Sequence, residues 1–111
     1  MPRNIVFVAP FPAETTMRFL RAVADLHDVR VLGVVHTPPQ GADARLYHDL
    51  VRVSDPLSGR ELLEAVEVLR RRHGQPARIV GILEALMVQL AEARAAFNVP
   101  GTSPRTADLF R

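Results

Sequence analysis

The sequence predicts an α/β domain, an open parallel sheet of about four strands with helices on both faces. Three observations carry this. Four short runs are almost wholly apolar: Ile5 to Ala9 (IVFVA), Arg30 to Val35 (RVLGVV), Leu50 to Val53 (LVRV) and Arg78 to Leu83 (RIVGIL). Unbroken apolar runs of that length suit strands buried on both faces. Between them lie segments with helical spacing, so the order reads β-α-β-loop-β-α-β-α, and right-handed crossovers then fix most of the topology.

Each element has its own signals. Pro10 and Pro12 stop the first strand. From about Thr15 to Leu26, Met17, Leu20, Val23 and Ala24 share one helical side, and Arg18, Arg21 and Asp25 take the other. Gly33 inside the second strand marks a close backbone approach. Residues 36–48, with two prolines and a glycine, read as an irregular connection. Ser58-Gly-Arg-Glu61 is a capping box, in which Ser58 accepts from the N–H three residues on and Glu61 reaches back. It opens a helix with the stripe Leu62, Leu63, Val66 and Leu69, a Glu67–Arg71 pair, and Gly74 as its stop. A further helix runs from about Ala85 to Phe97 and ends at Asn98-Val-Pro-Gly101. Ser103 and Pro104 then open another helix at the carboxyl end, which predicts that the natural polypeptide continues beyond Arg111.

Composition removes several function classes. The 111 residues hold 14 basic and 12 acidic side chains, all the basic ones Arg, so the sequence pI near 10.4 reflects guanidinium chemistry and not a phosphate-binding surface. With no cysteine there is no thiolate chemistry, disulfide or Cys-ligated zinc. No apolar run approaches a membrane span, and the amino end lacks the pattern of a signal peptide. The expectation is a cytoplasmic domain that binds neither membrane nor nucleic acid. Arg70, Arg71 and Arg72 could form an RNA patch, or simply a solvated helix end that suits the dipole.

In an open parallel sheet, ligands sit outside the carboxyl ends of the strands. The turn after the first strand, Pro10 to Thr16, has no glycine and so is neither a dinucleotide turn nor a Walker loop. Its helix start, with Glu14, Thr15 and Thr16, can still hold an anion, and the alternative is that Thr15 or Thr16 only caps the helix. Glu84, at the end of the fourth strand, is either a functional acid or a carboxylate favoured by the helix dipole. A metal site from His36, His48 and Asp49 is conceivable, but its spacing fits no ligand pattern. No catalytic constellation is identifiable, so no catalytic residue is assigned.

The Pro-rich first turn, Val53-Ser-Asp-Pro56, Gly81-Ile-Leu-Glu84 and above all Phe97-Asn-Val-Pro-Gly-Thr-Ser-Pro-Arg-Thr-Ala-Asp-Leu-Phe-Arg111 resemble the amino-terminal, pre-ATP-grasp domain of ATP-grasp enzymes. That superfamily includes biotin carboxylase, carbamoyl-phosphate synthetase and D-alanine–D-alanine ligase. The resemblance implies a Rossmann-like domain over residues 1–101 and the start of a linker helix over residues 102–111. It also implies a parent enzyme that makes an acyl phosphate from a carboxylate and ATP and passes the acyl group to a nucleophile. ATP and Mg2+ would be held by other domains, so this chain alone is expected to bind neither and to be inert. Its share would be the cleft for a small carboxylate substrate, through Glu14, Thr15, Thr16 and Glu84, and homodimer contacts. Glu14 sits like a glutamate that meets substrate in D-alanine–D-alanine ligases, but their glycine and serine pattern is absent, so that substrate is not assigned. The alternative is a free-standing Rossmann-like binding or dimerisation module without ATP chemistry.

Overall fold

The computed structural model describes residues 2–101. In chain order these form β1 (Arg3–Val8), α1 (Glu14–Ala24), β2 (Val29–Val35), a 3₁₀ helix (Gly41–Leu46), β3 (Asp49–Arg52), α2 (Gly59–His73), β4 (Arg78–Val80), a 3₁₀ turn (Glu84–Leu86) and α3 (Met87–Ala96). The four strands pair in parallel in the order β3-β2-β1-β4, the α/β architecture expected from the sequence. The helix expected from Ser103 lies outside the described residues.

Alternation along the central strand divides the core. Val6 and Val8 face α2 and α3, among Leu62, Val66, Leu69, Leu86 and Leu90. Phe7 and Ala9 face α1, among Met17, Leu20 and Tyr47. Helices therefore cover both faces, which is why Ile5–Val8 of β1 and Val31–Val35 of β2 are buried at successive positions and not at alternate ones. The Tyr47 ring lies against Gly33, where an added Cβ would meet it at 2.5 Å, so the glycine is the close approach its sequence position suggested. The Tyr47 hydroxyl is buried without a partner among the described residues, and burial pushes its pKa up to about 12.

Several boundaries differ from the sequence expectation. The fourth strand ends at Val80 and not Leu83, because β4 is an edge strand and its one neighbour, β1, supplies partners only to Arg78–Val80. There the chain passes so near β1 that a Cβ on Gly81 would lie 2.9 Å from the Val8 carbonyl. Glu84 opens a 3₁₀ turn, and α3 begins three residues later at Met87. Within the Pro-containing connection, Gly41–Leu46 forms a 3₁₀ helix. The cap of α1 is Ala13, with no side-chain bond, so neither Thr15 nor Thr16 caps the helix; both lie in its first turn. A capping hydroxyl must precede the helix, and here the helix starts one residue before Thr15.

At α2 half of the capping box forms. Ser58 Oγ accepts from the Glu61 N–H at 3.2 Å. The Glu61 carboxylate reaches past Ser58 to the preceding loop, accepting from the Ser54 N–H (2.9 Å), the Ser54 hydroxyl (2.7 Å) and the Asp55 N–H (2.9 Å). The Ser58 N–H is free to be taken elsewhere, by the Asp55 carbonyl. At the other end Gly74 closes α2 with φ 99°, and its N–H bonds the Arg70 carbonyl.

Candidate functional site

The chain runs outward from β1 through β2 to β3, then crosses back over the sheet to place β4 on the far side of β1. Strand order therefore reverses between β1 and β4, and the crevice at their carboxyl ends is where this architecture holds ligands. The segments rising from those ends are Pro10 to Thr16 and Gly81 to Glu84, the two that the sequence singled out. With Phe7 paired to Val80, the two segments start from adjacent strands on either side of the reversal.

The first turn of α1 forms one wall. Glu14 and Thr15 are exposed, whereas Thr16 is 5% exposed. The Glu14 carboxylate is drawn along the helix to Arg21, at 2.8 Å, and Arg21 also clasps both oxygens of Asp43. The Arg21 hydrogen bond and charge hold Glu14 below the usual glutamate range, and they hold Asp43 down as well. Glu14 is thus an acid engaged by its own helix. Glu84 stands exposed on the other wall and has no ion pair among the described residues.

Sequence reasoning missed the rim. His36, at the end of β2, bonds backbone to backbone with the Pro10 carbonyl, and its Nδ1 lies 3.0 Å from the Val53 carbonyl. A carbonyl only accepts, so Nδ1 carries the proton and Nε2 keeps its lone pair whenever the ring is neutral. The Phe11 ring meets the imidazole edge-on at 5.6 Å. His36 so ties the first turn to the loop after β3, and no local pattern announces that bond. The β3–α2 loop itself is closed by Glu61, whose carboxylate those loop donors hold below its usual range. Below the rim a cavity of about 10 Å³, lined by Val8, Val34, Val53, Leu62 and Leu86, has barely the room for one water. A cavity of that size encloses no ligand larger than water. The larger depressions lie elsewhere on the surface, as at the outer edge of β4 beside Arg78 and Arg94.

The other sequence candidates come apart. His36 is at the carboxyl end of the sheet, whereas His48 and Asp49 are at the amino end, where β3 begins. The metal grouping is therefore overturned, and among the described residues no cluster of His, Asp and Glu could hold a metal ion. Arg70 and Arg71 both pair with Glu67, and Arg72 pairs with Asp49, so the basic triplet is a set of ion pairs. No described helix is long and apolar enough to cross a membrane.

No family model matches the chain, and no curated protein matches it. Among solved structures it superposes on an L-amino acid ligase from Bacillus licheniformis with a TM-score of 0.74 and 15% sequence identity. The superposition covers 96% of this chain and 26% of the ligase chain. At that identity the likeness is one of fold. This chain, nearly in full, is similar in fold to about a quarter of the length of an L-amino acid ligase.

Proposed function

We propose that the chain is the amino-terminal, substrate-cleft domain of a cytoplasmic ATP-dependent carboxylate ligase of the ATP-grasp kind. The observation that carries this reading is the superposition of 96% of the chain on an L-amino acid ligase. The geometry agrees with a wall and not with a reaction centre. The crevice offers backbone N–H groups and hydroxyls at the start of α1, an imidazole lone pair on His36 and an exposed carboxylate at Glu84. These groups can orient a small carboxylate or amine. They cannot hold a nucleotide triphosphate in the usual way, since the sequence has no lysine and its first turn no glycine. ATP and Mg2+ therefore belong to other domains of the parent enzyme, where they would supply the phosphoryl transfer that activates the carboxylate. Homodimer contact belongs to the same reading, supported by the exposed apolar side chains Phe11, Phe19, Leu26 and Leu57.

Phosphate release from Mg-ATP, with and without a mixture of L-amino acids, tests the division of labour. The pure 111-residue chain releases no phosphate above a no-protein blank. Turnover that copurifies with the chain and is lost in a Glu84→Gln variant would overturn the reading. Sedimentation velocity of the same sample tests the dimer, and a monomer at every concentration removes that part.

A further inference from the structure

We propose that one flank of α1 is the homodimer contact, in which two copies of this chain pair their α1 helices antiparallel about a two-fold axis. The proposal rests on the homodimer part of the functional reading and gives it a surface. Thr15, Phe19, Ala22 and Leu26 follow at spacings of four, three and four, which sets them in one line along α1 and the turn after it. All four are exposed, Phe19 at 46% and Leu26 at 55%. The helix turns Thr16, Met17 and Leu20 to the sheet, and its other flank is clasped to the 3₁₀ helix through Arg21 and Asp43. The Phe19 ring is already held in place. It stacks on buried Phe7, with 6.2 Å between centroids and 9° between the ring planes. An aromatic side chain ordered before docking loses little freedom on docking.

Size and charge select a second copy as the occupant. A two-fold contact must be complementary to itself. In an antiparallel pair centred on this line, Phe19 lies against the partner's Ala22 and Leu26 against the partner's Thr15, so each large side chain meets a small one. Arg18 and Asp25 border the line on its solvent side, about two turns apart. Neither has an ion pair among the described residues. The same two-fold brings Arg18 to the partner's Asp25 and Asp25 to the partner's Arg18, charges flanking an apolar seam as they do in coiled coils. A parallel pair would set like against like at each of these positions. The antiparallel pair also points the two crevices, each at the start of an α1, toward opposite ends of the dimer.

Sedimentation velocity of the 111-residue chain over a concentration series provides the test. The unmodified chain should dimerise. Arg18→Asp or Asp25→Arg alone places like charges across the two-fold and should weaken the dimer about tenfold or more. The two together exchange the charges and should restore it. Ala22→Glu, at a position exposed in the single chain, should abolish the dimer with the circular dichroism unchanged. In a mixture of labelled and unlabelled chains, isotope-filtered NOEs should connect Phe19 with Ala22 between chains.

A dimer that survives both single reversals and Ala22→Glu would overturn this surface and leave the dimer of the functional reading standing. A double variant no stronger than the single ones would overturn the antiparallel pairing. NOEs that link Phe19 only to residues 102–111 of its own chain would name a different occupant and overturn the surface. A monomer at every concentration would overturn the surface and the dimer together.

Discussion

At the amino end of the sheet, Asn4 is 7% exposed and every polar atom of its side chain is engaged. Its Nδ2 donates to the His73 carbonyl at 2.9 Å, and its Oδ1 accepts from Arg30 Nε at 2.9 Å. Arg30 reaches the same His73 carbonyl, and Asp49 holds the His73 ring at 2.8 Å and Arg72 at 3.2 Å. At the carboxyl end, by contrast, α1 begins without a side-chain cap, and Glu84 stands exposed with no ion pair among the described residues. One end spans three strands and the last turn of α2 with a satisfied network; the other leaves donors and acceptors unmatched. Buried polar groups are expected to be satisfied where they serve the fold alone. The difference fits an amino end that serves stability and leaves the carboxyl end as the face proposed to meet a ligand.

Variants can break this contrast. The largest effect is expected from Asn4→Ala, which leaves the part-buried Arg30 Nε without that acceptor and the His73 carbonyl with one donor fewer. Urea unfolding should show a loss of about 1–3 kcal/mol, the cost of stranding such groups. Ser58→Ala removes the side-chain cap bond of α2 and should lower the same unfolding free energy by about 0.5–2 kcal/mol. A neutral result for Asn4→Ala would show that the amino end is not the stabilising one.

Acid sharpens the comparison further. The His73 hydrogen bond, helped by Arg72 and the Leu50 N–H, holds Asp49 below the usual carboxylate range. Arg70 and Arg71 hold Glu67 at about 2. For a carboxylate depressed by folding, the stabilisation is complete above its ordinary value and is lost as pH falls through the folded value. Stability should therefore decline from the ordinary glutamate value near 4.5 down to about 2. Asp49→Asn should lower stability at neutral pH and flatten that decline. The smallest effects belong to the carboxyl end. Thr15→Ala and Glu84→Gln should each change unfolding free energy by no more than about 0.5 kcal/mol, as exposed positions do. A larger loss at either would give it a structural role.

What was legible in the sequence was local. The Ser58 cap, the Gly74 stop, the Glu67–Arg71 pair at 3.0 Å and the apolar strands all lie within a turn or a run of neighbours. Gly33 was readable as a close approach, though not that Tyr47 would be the partner. What was not legible depends on residues far apart. Arg21 joins Asp43 across 22 positions, and His36 meets Val53 across 17, with no pattern to signal either. The run RIVGIL is apolar from Ile79 onward and does not say that β4 is an edge strand, so its early end at Val80 could not be read. The metal grouping failed for the same reason, because proximity in sequence does not tell which end of a sheet a residue reaches.

The central claim is that ligand is received at the carboxyl end of this sheet, and a complete amide shift map with L-alanine tests it most directly. The account predicts saturating shifts in Phe11 to Thr16, His36 and Gly81 to Glu84, with Asn4, Arg30, Asp49 and His73 unmoved. Shifts concentrated on Asn4, Arg30, Asp49 and His73 would contradict it.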